Sequence, residues 1–237
     1  FTDIAYEFSA DGNSWEAMPG DLRKAGLSPG TSYYVRAKYR GEVPGEKVEV
    51  KTYPQTMLEN GSLEGATVLA GDDSGISRGT VYGWDGWATL NRISTPSGIT
   101  AYSFNSRSGC RPTDDGHMGK GVITLGYVMG GFAKPKAAMH SELYLGTNAD
   151  DDGNREYGIR FNSRPTALGV WYKCISNKGN DVSLIKVQLL HDDIILGENS
   201  FTTGAIDSYQ YNKLMINYSE DLDKIRLVPN KLLVLFK

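Results

Sequence analysis

The sequence predicts an all-β protein, and three observations carry that prediction. Apolar residues recur with a period of two over short runs. Strand-length runs follow one another at spacings of about 8–15 residues, the rhythm of a sandwich or jelly roll. The 28 glycines are scattered along the 237 residues as turn punctuation, and no stretch sustains a helical apolar period. This length allows one large or two smaller domains, each with its own core.

The first strand candidates lie in residues 3–8, DIAYEF, followed by the turn Asp11-Gly12 and then Trp15, a hairpin signal. Residues 27–39, LSPGTSYYVRAKY, place Tyr33, Val35 and Ala37 on one face and Tyr34, Arg36 and Lys38 on the other. Val48 and Val50 repeat the alternation in EKVEVKT, 46–52. Leu27, Pro29, Thr31 and Tyr33 resemble the L-x-P-x-T-x-Y signature of fibronectin type III domains, whose tyrosine makes a corner hydrogen bond. Such a sandwich takes about 100 residues. The expectation is therefore the C-terminal half of a fibronectin-like or immunoglobulin-like module over 1–54, with its first two strands missing. Consistent with that expectation, the chain opens at Phe1 within a strand-like run, with neither an initiator Met nor a signal peptide, as a processed or truncated product would.

Tyr53-Pro54-Gln55 is a stiff connector, and the apolar register changes at about residue 55. From Asn60-Gly61 to about residue 105, turns are frequent and apolar residues sparse, except in VYGWDGWATLN, 81–91, which holds two of the four tryptophans. Strand patterns then return in ITAYSF (99–104) and GKGVITLGYV (119–128), with 110–117 read as the loop between them. Further strands are expected in EYGIRF (156–161), ALGVWYKC (167–174), VSLIKVQLLH (182–191), DIILGE (193–198), YNKLMINY (211–218), KIRLV (224–228) and KLLVLFK (231–237).

Several segments of this second part carry a resemblance: NGSLEG at 60–65, GWATLN at 86–91, SELYLGT at 141–147, FNSRPTALGVWYK at 161–173 and GND at 179–181. Together they resemble the carbohydrate metabolism domain of surface and secreted proteins from polysaccharide-using bacteria, over nearly all of 55–237. The resemblance implies a β-jelly roll placed after an immunoglobulin-like or fibronectin-like module. It also implies an exported lipoprotein at the outer-membrane surface or outside the cell, with a lipid anchor upstream and a glycan or polysaccharide as partner. It supplies context, not a mechanism. Cys174 departs from the pattern, which leads to an aromatic residue at that position.

Sandwich proteins hold sugars by stacking aromatic rings on their C–H faces, with amides, carboxylates and Arg bonding the hydroxyls. Tyr82, Trp84, Trp87, Trp171 and Arg164 are the candidates for such a site, and Tyr172 competes with Trp171. Adjacent strand residues face opposite ways, so Trp171 and Tyr172 contribute at most one ring to any single site. For each tryptophan the competing use is to fill the core, and for Arg164 it is to tie a corner through backbone carbonyls.

Asn148, Asp150 and Asp152, with Gly153 next, match the opening of a calcium loop. The flanks read as strands, Ile159 stands where an EF-hand would place its Glu, and Glu156 is a substitute donor. A solvated acidic turn is the competing reading, and no other cofactor is expected. A glycosidase needs two carboxylates across the scissile bond. Glu142, Glu156 and Asp181 lie near the distinctive motifs, but sequence spacing cannot pair them. His117, His140 and His191 share no metal-ligand spacing.

A formal charge of −3 without a basic cluster argues against nucleic acid, and no apolar run reaches the ~20 residues of a membrane span. Cys110 and Cys174 allow one disulfide or two buried free thiols. Three functions are thus weighed. The leading one is a non-catalytic carbohydrate-binding or glycan-handling accessory protein. The others are a polysaccharide-active enzyme and a structural adhesion component without a glycan site.

Overall fold

The computed structural model describes residues 3–70, 81–89, 109–124, 127–131, 134–139, 141–147, 155–176 and 181–237. The expected strand at 99–104, the acidic turn with Asn148, Asp150 and Asp152, and His140 lie outside the described residues. The chain divides into two units, Phe1–Thr56 and Met57–Lys237, and the described residues of both are β-structured but for one short helix.

The first unit is one antiparallel sheet of β1 (Ile4–Ser9), β2 (Glu16–Ala17), β3 (Ser32–Tyr39), β4 (Val43–Pro44) and β5 (Val48–Lys51). Its order is β2-β1-β3-β4, with β5 also paired to β3. Registers Tyr6↔Ala37, Phe8↔Val35 and Tyr33↔Val50 collect the apolar residues on one face. Phe8 and Tyr33 are buried there with ring centroids 5.3 Å apart, while Tyr6, Val48 and Val50 on the same face stay exposed. The Tyr33 hydroxyl accepts the Ser28 N–H at 2.9 Å, which is the corner bond of the L-x-P-x-T-x-Y pattern. On the opposite face Glu7 pairs with Arg36 at 2.7 Å and Lys38 at 3.3 Å, and Arg36 lies over the Trp15 ring.

Asp11 builds the hairpin turn. Its carboxylate accepts the Asn13 and Ser14 N–H groups at 2.8 and 2.7 Å and the Ser9 hydroxyl at 2.9 Å. The Ser14 and Asn13 amides, in that order, hold this carboxyl well below the usual carboxylate range.

The second unit begins with β6 (Ala66–Ala70), β7 (Val81–Trp84), β8 (Ala88–Thr89), β9 (Cys110–Thr113), β10 (Gly121–Thr124), β11 (Tyr127–Gly131) and β12 (Lys134–Met139). It continues with β13 (Leu143–Tyr144), β14 (Ile159–Arg160), β15 (Ala167–Cys174), β16 (Ser183–His191), β17 (Ile194–Thr203), β18 (Ile206–Met215) and β19 (Asn217–Tyr218). Helix α1 (Leu222–Arg226) and β20 (Lys231–Phe236) end it. The main sheet runs β19-β17-β16-β20-β13-β8, with β14 also on β20. Pairs β6–β7, β9–β10, β11–β12 and β15–β18 form two-stranded ribbons.

One apolar core joins the sheet to three of these ribbons. Val187, Leu189, Leu232 and Val234 come from the sheet, Leu214 and Leu168 from β15–β18, Cys110 and Val122 from β9–β10, and Trp84 from β6–β7. The layers therefore pack as a sandwich packs, inner faces together with alternate residues turned out.

Three expectations about elements change. Residues 224–228, read as a strand, instead span the end of α1. Asp221 caps that helix by accepting the Asp223 N–H, and Lys224 and Arg226 sit in its last turn, so local capping and charge outweigh an apolar alternation only five residues long. Cys110–Thr113, read as loop, is a strand paired to β10, because Cys110 points into the core. Residues 156–161 pair as a strand only at Ile159–Arg160.

A carboxyl whose folded pKa is depressed stabilises the fold above its unfolded value, and that contribution is lost as pH falls toward the folded value. Asp11→Asn should therefore cost stability at pH 7 and lose less than wild type between pH 5 and pH 2. Urea midpoints of residues 1–56, followed by Trp15 fluorescence against a Trp15→Phe blank, check this. Parallel acid dependence in the two proteins contradicts it.

Candidate functional site

The β15–β18 ribbon sorts its side chains by parity. Leu168 and Leu214 turn inward to the core, and Tyr172 packs its half-buried ring edge-on against Phe201 at 5.2 Å. The pairs Gly169↔Lys213 and Trp171↔Tyr211 turn outward. Trp171 is 46% exposed and Tyr211 53%. Their ring centroids lie 5.2 Å apart at 45°. Gly169 makes room for this arrangement, since a Cβ there would meet the Tyr211 hydroxyl at 2.6 Å.

The row continues beyond the ribbon. His117, in the loop between β9 and β10, stacks on Trp171 with centroids 3.5 Å apart and planes 16° apart, and it tilts against Tyr209 at 5.7 Å. Four rings, Tyr211, Trp171, His117 and Tyr209, thus stand in sequence along one exposed surface. Their polar fringe is charged. Lys173 Nζ contacts Asp115 Oδ2 at 2.5 Å, the Tyr209 hydroxyl donates to the Asp115 carbonyl at 2.5 Å, and Lys173 lies 4.8 Å from the Tyr209 ring centre. The Asp115 bond raises the Lys173 pKa, so the ammonium stays charged. Lys213 is exposed and pairs with Gly169, over which the Tyr211 ring lies.

The other residues read as sugar contacts are placed elsewhere. Trp84 and Trp87 are only 4% and 6% exposed, folded inward by a tight Asp85-Gly86 turn in which the Trp87 N–H donates to the Trp84 carbonyl at 3.1 Å. The Trp87 indole N–H donates to the Asn60 carbonyl at 3.1 Å, and its ring lies 5.8 Å from Phe236. Neither indole offers a face to solvent, so the expected stacking at these two positions is corrected to a core role. Tyr82 is half-buried against the same core. Arg164 Nη2 donates to the Lys224, Ile225 and Leu227 carbonyls at 3.3, 3.1 and 2.8 Å, fastening the end of α1, and its guanidinium lies over Tyr218. The corner-tying reading of Arg164 is the one this geometry supports.

Two of the three carboxylates weighed for catalysis are engaged locally, and Glu156 is exposed. Glu142 is buried, with Tyr157 donating at 2.7 Å and Arg155 and Lys237 forming ion pairs with it at 3.1 and 3.7 Å. Asp181 accepts the Ser176 hydroxyl at 2.9 Å. Both cysteines are free and buried, so the disulfide alternative is set aside. Burial pushes the Cys110 thiol up to about 12, and Cys174 contacts Ser183 Oγ at 3.3 Å. Among the described residues, no group of three His, Cys, Asp or Glu side chains is arranged to hold a metal, and no helix is long and apolar enough to cross a membrane.

Sequence reasoning named Trp171 and missed its companions. Tyr209 and Tyr211 sit two apart, so a strand begun at 206 instead of 211 puts both on one face. His117 carries no such signal, because only the tertiary fold brings its loop to the ribbon.

No protein-family model matches the chain, and no curated protein matches it in sequence. One solved structure is similar at a TM-score of 0.31 and 11% identity, over 98% of this chain and 77% of that one. It comes from work on the promiscuous specificity of carbohydrate-binding modules from the β-sandwich superfamily. The fold and the surface define an all-β protein with an exposed aromatic row on one ribbon.

Removing a partner from a buried charge cluster typically costs about 3–5 kcal/mol. Because Arg155 still reaches water, Glu142→Ala should fall near the low end, about 3 kcal/mol. Urea unfolding measures it, and a loss below about 0.5 kcal/mol contradicts the structural role.

Proposed function

We propose that this chain is a non-catalytic carbohydrate-binding or glycan-handling accessory protein, and that the Trp171–Tyr211 pair is its contact with sugar. The exposed pair on a rigid ribbon carries this reading. Two large rings about half exposed, with Tyr211 lying over Gly169, are apolar surface that the core does not use. A pyranose ring has an apolar C–H face and a polar rim. It matches an aromatic face bordered by Lys213 and Lys173, which bond hydroxyls at its edge. Strand-borne groups hold such geometry better than loop-borne ones. The structural engagement of Glu142 and Asp181 favours binding over hydrolysis.

The motif resemblance to the carbohydrate metabolism domain supports the same reading. It extends it to an exported bacterial surface protein, with a fibronectin-like module ahead of a jelly roll and a lipid anchor upstream. Calcium at Asn148, Asp150 and Asp152 remains a minor part of this proposal.

Affinity electrophoresis in gels containing hydroxyethyl cellulose, xylan, mannan or polygalacturonate tests the proposal. At least one polysaccharide should retard the wild type. Trp171→Ala should weaken that retention about tenfold or more, on the order of 1.4 kcal/mol, and Tyr211→Ala should weaken it less, both without loss of fold. Trp84→Ala should instead destabilise the protein, by about 3–5 kcal/mol. Retardation by none of the four, or equal retention of wild type and Trp171→Ala, overturns the proposal.

A further inference from the structure

His117 occupies the place on Trp171 that a stacked sugar needs. The imidazole lies 3.5 Å from the indole and nearly parallel to it, which is the separation and orientation of a ring packed face to face. His117 does not belong to the ribbon. It sits at the tip of the turn Gly116-His117-Met118-Gly119, closed by the Gly116 N–H donating to the Gly119 carbonyl at 3.0 Å.

This turn is a compact unit. A Cβ on Gly116 would collide with the Gly119 and Lys120 carbonyls, and Gly119 has φ +145°. Among the described residues it is fastened to its surroundings by few bonds. Asp115 binds Lys173 and Tyr209, and the Lys120 N–H donates to Glu64 at 3.2 Å. The turn itself is exposed, with Met118 86% open to solvent beside His117. The Asp115–Lys173 pair is a surface ion pair, of the kind that contributes little net stability. A tight turn held to a binding surface by two ring contacts, one partly exposed ion pair and two hydrogen bonds, none of them in the apolar core, can leave that surface without disturbing the core.

We infer that the Gly116–Gly119 turn is a displaceable cover of the proposed sugar site, with His117 holding in the ligand-free chain the face of Trp171 that a pyranose takes on binding. The inference rests on the glycan-binding reading of the ring row. Sugar and imidazole then compete for one indole face, and the observed affinity is the intrinsic affinity reduced by the fraction of molecules in which the face is covered. Lys173 gains from uncovering as well, because its Asp115 partner leaves with the loop and the ammonium turns to the ligand.

Two variants test this. His117→Ala removes the competing ring from an exposed turn, and Asp115→Asn removes the ion pair that fastens it. Affinity for the gel polysaccharide that retards the wild type should rise about three- to tenfold in His117→Ala and in the same direction, by less, in Asp115→Asn. A ligand-free readout runs in parallel. Acrylamide quenching assigned to Trp171, by subtracting a Trp171→Phe counterpart of each protein, should rise about twofold in His117→Ala. Affinity that is unchanged or lower in His117→Ala overturns the cover, a fall making His117 a ligand contact. Should none of the four polysaccharides retard either wild type or His117→Ala, the glycan reading fails, and quenching alone decides. Raised Trp171 quenching then upholds a cover over the indole, and unchanged quenching removes it.

Discussion

The second unit depends on where its last strand goes. β20 enters the middle of the main sheet, paired to β16 on one side and to β13 and β14 on the other. Leu232 and Val234 turn into the main core opposite Leu189 and Val187, while Leu235 turns the other way against Tyr144 and Ala88. A strand covered on both faces needs an apolar residue at nearly every position, and KLLVLF supplies that. Burying each such side chain contributes about 1.5–3 kcal/mol. The sheet is therefore built around the chain's end, with β13 and β16 brought together only when β20 lies between them.

The ring row follows from that arrangement. Once the sheet presents its inner face, the ribbon β15–β18 covers it with Leu168 and Leu214, and strand parity then decides the rest. Tyr172 must face inward and Trp171 outward, with Tyr211 opposite it. The core also decides which aromatics remain for other uses. Trp84 and Trp87 are spent on packing, and Asn60 locks Trp87 by a hydrogen bond that spans 27 residues of sequence. The NGSLEG and GWATLN segments, far apart in sequence, thus form one structural joint.

Much of the fold was legible in advance, because its strands obey a period of two and its turns carry Asp-Gly and Asn-Gly signals. Tyr33 and its corner bond, the hairpin at Asp11, and the last strand at Lys231–Phe236 could all be read from local pattern. Elements decided by a single contact, distant or local, could not. Cys110–Thr113 looks like loop until β10 pairs with it, and residues 224–228 look like a strand until the Asp221 cap is weighed. The site was half legible. Trp171 stood out by its residue type, whereas His117 lies 54 residues away in sequence and reaches it only through the fold. Burial is what sequence alone left undecided for Trp84, since a tryptophan between glycines reads equally well as a surface ring and as a core ring.

The central claim is that saccharide meets this protein at Trp171 and not at the buried tryptophans. Indole N–H signals of the wild type, followed by proton–nitrogen NMR while a soluble oligosaccharide of the retarding polysaccharide is added, test it most directly. The Trp171 signal should move with saturation while those of Trp84 and Trp87 hold their positions. A still Trp171 signal, with binding registered at Trp84 or Trp87, would contradict it.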